Sequence, residues 1–437
     1  MTNAVSLIRY EKDKRSVSRA IEMCNGFQSL DRSSRVLIKP NLVGWDNKGP
    51  YPVFGVLTTS RVLEEIIVDL KEKGVEKIAI GEASIVCKDI GSSTTSIFEN
   101  LGYKKLQKKY GVRLVDFNKN KMKQIELEGH KINVTALLDE YDFLINVPVL
   151  KTHGTTTVSL GMKNLKGLMN KKSKSYFHSV QRIIDRMITL LAEYVKPNLS
   201  IIDGLYALER GPLHTGTAYR KDLLLASTDI FGIDAVGAAI LGYRVDDVPY
   251  LKDYTDRYHR ANDLSDIQII GDVTIDEVTQ PLAWDWEWDE ESARPDFYVA
   301  QGVEGFRVPK WDYSLCTGCS YLLNPMLMLI SSAKADKPFN NFEMLTGKRM
   351  EPSGKANKTF LFGKCMVEKL KEDPRIREAI LLKGCPPTFD SLVKGLKENG
   401  VDCKPEAFYA YRQYIMKRYK KDPAFDLNDF YLENLPA

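Results

Sequence analysis

Short apolar runs alternate with amphipathic stretches through the first two thirds of the chain. The runs Val36–Lys39, Lys77–Ile80, Val112–Val115, Phe143–Asn146 and Leu199–Ile202 have the length and β-branched content of buried strands. Between them, Arg61–Lys73 and Gln181–Tyr194 carry apolar residues at helical spacing. Strands that stay apolar on both faces and are separated by helices predict an α/β fold, a mainly parallel sheet covered by helices. Further strands are expected at Asp222–Ala226 and Ile267–Ile270, with a helix over Ile230–Leu241. Residues 1–278 are read as this α/β domain, and no internal repeat interrupts it.

Polar residues punctuate the strand ends. Lys39 and Asn41 follow the first run, Glu82 and Ser84 the second, Asn146 closes the run before Lys151-Thr-His153, and Asp203 follows the Ile-Ile pair. The carboxyl ends of parallel strands open on one crevice, so these side chains are expected to meet there. Turn formation alone accounts for Asp203 and in part for Asn41, but not for lysines and a histidine in the same places. Lys151-Thr-His-Gly-Thr-Thr-Thr adds a cation, an imidazole and hydroxyls, and Gly161-Met-Lys-Asn-Leu-Lys-Gly167 adds Lys163, Asn164 and Lys166 at what reads as a helix start. Exposed amides, lysines and a helix dipole suit a small anionic substrate, a carboxylate or phosphate. Lys151, His153 and Glu82 are the catalytic candidates, and Lys39, Asn41, Asn146, Lys163, Asn164, Lys166 and His178 the binding candidates. Lys171, Lys172 and Lys174 read as a solvated basic loop, and the glycine- and proline-rich Gly44–Gly55 as a lid over the crevice.

The last third carries a different signal. Cys316 and Cys319 form Cys-Thr-Gly-Cys, Cys365 lies in Gly-Lys-Cys and Cys385 in Gly-Cys-Pro-Pro. Four thiolates with glycine or proline beside them form a ligand set for one iron–sulfur cluster, of the four-iron, four-sulfur type, or for one zinc. One close pair with two distant single cysteines favours the cluster, since structural zinc usually takes two short hairpins. The Gly-Cys-Pro-Pro turn also resembles the cluster-binding turn in small subunits of nickel–iron hydrogenases. Cys24 and Cys87 fit buried structural thiols, and Cys403 is unassigned. Residues 310–437 are read as a smaller α+β metal-binding module, joined through 279–309, a linker or edge strand in which Trp284, Trp286 and Trp288 alternate with acidic residues. The tail from Glu406 to Lys421 reads as a helix packed on that module.

Composition narrows the function classes. A chain of 437 residues with 43% hydrophobic content buries large cores, and 62 basic against 58 acidic residues is too balanced to imply nucleic acid. No apolar run is long enough to span a membrane, and the amino terminus lacks the pattern of a secretory signal, so a cytoplasmic setting is expected. Seven cysteines make an odd number for a disulfide framework and suit a reducing interior. There is no Gly-x-x-x-x-Gly-Lys-Ser/Thr loop, no His-Glu-x-x-His and no dinucleotide-binding glycine fingerprint after the first strand.

The ordered motifs Val-Leu-Ile-Lys-Pro-Asn41, Thr58-Thr59, Gly-Glu82, Asn-Val-Pro-Val-Leu-Lys-Thr-His153, Gly-Met-Lys-Asn-Leu-Lys-Gly167, Ile-Asp-Gly204, Glu209-Arg-Gly-Pro212 and Ala-Ser-Thr-Asp-Ile-Phe-Gly-Ile-Asp234 resemble the family known as domain of unknown function 362, over residues 36–272. The resemblance implies the fold and the site more than a reaction. Members of that family are often joined to ferredoxin-type iron–sulfur segments, which implies an electron supply; this chain departs from their eight-cysteine insert in having the four-cysteine set. The fold is also similar to the amino-terminal domain of nickel-dependent lactate racemases, whose histidine and lysine handle a small hydroxy acid, which adds weight to Lys151 and His153. Two function classes follow. One is an iron–sulfur oxidoreductase acting on a small anion, with a ferredoxin-like electron donor as partner and a homo-oligomer allowed. The other is a non-catalytic, metal-stabilised binding or maturation protein in which zinc or a cluster is structural.

Overall fold

The computed structural model of the protein describes residues 3–435 apart from 13, 46–51, 88–90, 182, 214, 292 and 334–337. Its first strands are β1 (Ala4–Arg9), β2 (Arg35–Pro40), β3 (Lys77–Glu82) and β4 (Arg113–Asp116), then the hairpin β5 (Met122–Leu127) and β6 (His130–Thr135). There follow β7 (Phe143–Val147), β8 (Val149–His153), β9 (Thr157–Val158), β10 (Leu199–Glu209), β11 (Thr217–Ser227) and β12 (Gln268–Gly271). Except for the hairpin they form one sheet, ordered β12-β1-β11-β10-β7-β2-β3-β4, with β8 joined to β10 and β9. The pairs β10–β7, β7–β2, β2–β3 and β3–β4 are parallel, as the alternation of strand and helix predicts.

Antiparallel pairing enters through β11, which a short loop joins to β10. β11 runs against both β10 and β1 and is longer than the predicted Asp222–Ala226. The β5–β6 hairpin turns at Glu128 and Gly129, both at positive φ (46° and 82°), the backbone of a tight two-residue loop. Helix Ser60–Glu72 starts where the Thr59 side chain accepts a hydrogen bond from the Val62 amide, and its apolar side joins β2, whose core-facing residues are wholly buried.

A second sheet, β13 (Phe306–Arg307), β14 (Phe342–Leu345), β15 (Lys358–Phe362) and β16 (Ala379–Leu382), is ordered as in sequence and is parallel throughout. This corrects the expected α+β character: helices Thr317–Ser332 and Lys364–Leu370 act as crossovers between neighbouring strands. The linker's edge strand is β13 at its end, and not the alternation at Trp284, Trp286 and Trp288, where Trp288 makes an isolated bridge with Pro295. The rings pack one by one instead, Trp286 against Phe297 and Trp288 against Trp311, so ring contacts and not a ladder order this segment.

Helix Pro405–Lys420 matches the helix predicted near the tail. Beyond it the chain returns to the first domain, where Phe425 and Phe430 pack around Phe54 and Tyr206. The Phe430 carbonyl accepts from the Gly102 amide and the Ser60 hydroxyl, and Tyr206 donates to Asp429 at 2.8 Å. No helix among the described residues is long and apolar enough to cross a membrane.

Candidate functional site

The parallel register carries polar side chains to one edge. Lys39 stands opposite Asn146 on the paired ends of β2 and β7, and Glu82 closes β3 beside them. The Lys39 ammonium is fully buried and donates to Glu82 at 2.7 Å, to the Pro40 carbonyl at 2.8 Å and to Asn164 at 3.1 Å. Asn164 donates in turn to Asn146 at 2.9 Å, and Asn146 to the Gly161 carbonyl at 3.0 Å. Lys39 and Asn146 are thereby committed to one another's neighbours, a layer beneath the cavity that the remaining candidates line.

That cavity, of about 160 Å³, is walled by Asn41, Glu82, Lys151, His153, Lys163, Asn164, Lys166 and His178 on one side and by Cys316 and Cys385 on the other. Lys151 donates to the Val56 carbonyl at 2.8 Å, and burial, with Lys39 nearby, brings its pKa down to about 7. Lys166 lies 3.1 Å from His178 Nε2, and burial, with Lys174 facing it, brings it also to about 7. The Nζ of Lys163 is buried without a hydrogen-bond partner among the described residues, and burial together with Lys166 and Lys151 holds its pKa well below the lysine range.

The two histidines are held as distinct tautomers. His153 Nδ1 accepts from the Thr155 amide at 3.1 Å, which leaves its ring proton on Nε2. His178 Nδ1 lies 2.9 Å from the Tyr313 carbonyl, which can only accept, so that nitrogen carries the proton. Burial and the surrounding lysines hold both rings well below the usual histidine pKa, hence neutral. Among the described residues, the only acidic side chain lining the cavity is Glu82, already paired with Lys39. The wall is rich in cations and short of anions, which is the electrostatic signature of an anion site.

One expectation about that site is overturned. The amides that open helix Gly161–Asn164 do not await a ligand: Gly161 and Met162 donate to the Asp234 carboxylate at 2.6 and 2.9 Å. Burial raises the Asp234 pKa to about 7. The loop reading of the later lysines is corrected too. Lys171, Lys174, Ser175 and His178 line the cavity from helix Lys171–Phe177 and its end, Lys174 donating to the Ala83 carbonyl and Lys171 to that of Cys385. Lys172 alone among the three stays off the wall and exposed. The spacing of these four, i, i+3, i+4 and i+7, is one helix face and was readable as such. Of the lid expected at Gly44–Gly55, residues 46–51 lie outside the described residues, while Trp45, Val53 and Phe54 are buried in the core and not laid over the crevice.

The cysteines come from three loops at one end of the second sheet. Cys316 and Cys319 open helix Thr317–Ser332, Cys365 follows β15 and Cys385 follows β16. The Cys316 thiol is pulled below its ordinary pKa, chiefly because Cys319 donates its S–H, aided by the amides of Cys319 and Gly318 and by Lys348; Cys319 is pushed up by the same bond. A side chain at Gly363 would come within 3.0 Å of the Cys319 sulfur, so glycine keeps a cradle open there. Four thiols, local amides and a nearby cation are the donor types an iron–sulfur cluster takes. No group of three His, Cys, Asp or Glu residues among the described residues is gathered as a single metal ion would require.

The two parts meet across the cavity. His178 reaches Tyr313, the Tyr313 hydroxyl donates to the Val180 carbonyl at 2.9 Å, and Lys348 donates to the carbonyls of Ser175 and His178.

Comparison with known proteins adds three findings. The family described as Domain of unknown function (DUF362) matches residues 36–239. The thylakoid-associated protein sll1697 of Synechocystis sp. is 30% identical over 252 residues, 55% of this chain and 75% of that protein. The lactate racemase apoprotein from Thermoanaerobacterium thermosaccharolyticum is 15% identical over 55% of this chain and 57% of its own, with a TM-score of 0.34, a likeness too slight to bear on activity.

Proposed function

The chain belongs to the family described as Domain of unknown function (DUF362), and from that premise we propose that it is an iron–sulfur oxidoreductase acting on a small carboxylate or phosphate. The observation that carries the reading is that Cys316 and Cys385 line the same cavity as Lys151, His153, Lys163 and Lys166. In it, Cys316, Cys319, Cys365 and Cys385 hold the cluster. A cluster bound there would supply or accept single electrons.

The remaining roles follow from the chain's own groups. Lys151 and Lys166 bind the acid group with Lys163 beside them, on a wall short of counter-charges. His153 moves a proton through Nε2, the nitrogen that its bond to Thr155 leaves protonated. Glu82 stays a second proton acceptor at the cavity wall, while Lys39, Asn146 and Asn164 fix its position. The reading includes a cytoplasmic setting, where thiols remain reduced, and a ferredoxin-like donor reaching the exposed Cys365 and Cys385.

Iron, sulfide and zinc content of anaerobically purified protein, with an absorption spectrum before and after dithionite, tests it. About four irons per chain and a broad band that bleaches are expected. One zinc per chain without colour would turn the cysteines into a structural staple and move the protein to the non-catalytic class.

A further inference from the structure

Of the amines that line the cavity, all but one are engaged. Lys151 donates to Val56, Lys166 to His178, Lys171 to Cys385 and Lys174 to Ala83. Lys163, 7% exposed, donates to nothing among the described residues. A buried ammonium with no acceptor is costly, so such a group is either neutralised by a ligand or held as the free amine. Around it stand the cations Lys151 and Lys166, neutral His153 and the carboxyl of Asp185. Cations outnumber carboxylates there, and crowding by like charge is one of the recognised ways to hold a lysine in its nucleophilic form.

We propose that Lys163 is a nucleophilic amine that forms an imine with the carbonyl carbon of a small 2-oxo acid. The proposal rests on the small-acid reading of the cavity and does not depend on the cluster. Lys151 and Lys166 hold the carboxylate, which presents the adjacent carbonyl to Nζ. The Nζ lone pair attacks the carbonyl carbon, and a carbinolamine forms. The two protons of the amine then leave with the carbonyl oxygen as water, and a carbon–nitrogen double bond remains. His153 Nε2–H relays a proton to the departing oxygen and recovers it from nitrogen, so no oxidant or further reactant is needed. A short acid is of a size that the cavity of about 160 Å³ accommodates.

Full-length protein is incubated with pyruvate or 2-oxobutyrate and sodium borohydride, digested, and mapped by mass spectrometry, with iron measured on the same sample. The expected result is a reduced adduct confined to Lys163, lowered about tenfold or more in Lys163→Arg, which keeps a long basic side chain without the nucleophile. Absence of an adduct at Lys163 from either acid, or labelling spread over exposed lysines and unchanged by Lys163→Arg, overturns the proposal. Thermal-shift binding of the same acids reads the small-acid site separately. An adduct in iron-free protein leaves the amine chemistry standing while the redox reading falls; binding without an adduct overturns the amine chemistry and leaves the small-acid site standing.

Discussion

At the scale of single residues, the contrast between Lys39 and Lys151 shows how environment divides one residue type into two roles. Lys39 and Glu82 form a buried pair at 2.7 Å. Removing one partner strands the other charge, so Lys39→Met is expected to cost about 3–5 kcal/mol in chemical denaturation, and the double variant Lys39→Met/Glu82→Gln to recover much of it. Lys151 has a folded pKa of about 7, below its unfolded value of 10.5. Between those values the unfolded chain holds a proton that the folded chain does not, so stability rises with pH through this window. The melting temperature is therefore expected to climb from pH 7 to 9, and Lys151→Met to flatten the climb. Asp234 acts in the window below, its raised pKa making stability fall as pH rises from 3.8 to about 7. The lysine and histidine positions were legible in sequence because strand ends are recognisable. Which of them line the cavity and which support it was not, since that depends on partners more than 40 residues away.

At the scale of elements, helix Gly161–Asn164 is anchored from a distant helix. Asp234, in helix Ile230–Ile240, accepts both amides of its first turn. Asp234→Ala leaves those donors buried and unpaired, a loss of about 1–3 kcal/mol each in denaturant unfolding. The turn that follows is as tightly constrained. A Cβ at Gly167 would fall 1.9 Å from Glu82 Oε1 and 2.5 Å from Lys39 Nζ, so Gly167→Ala is expected to displace that pair and weaken anion binding in calorimetry. The Gly-Met-Lys-Asn-Leu-Lys-Gly motif was visible as chemistry, but its helix start was misread as a ligand site. A helix amino terminus attracts any carboxylate, and the protein's own Asp234 takes the place a substrate was expected to fill.

At the scale of the whole molecule, a mainly parallel sheet and a smaller parallel one turn strand ends toward one cavity, and the last described segment ties the first of them down. Phe425 and Phe430 enter the core formed by Phe54 and Tyr206. A chain ending at Lys421 loses these rings, at a cost on the order of several kcal/mol, read as an earlier unfolding midpoint. Hydrophobic periodicity by itself determined the large parallel sheet, its covering helices and the strand that delivers each polar end, because burial of an apolar face is a local property of sequence. It also marked the four cysteines, whose neighbouring glycines and prolines are local too. Only the tertiary structure decided that Cys316 and Cys385 share a cavity with Lys151 and His153, that Asp234 closes the helix start, and that Lys163 is left without a partner among the described residues. Those facts arise from packing between segments far apart in the chain, and from the electrostatics of a buried space that no stretch of sequence contains.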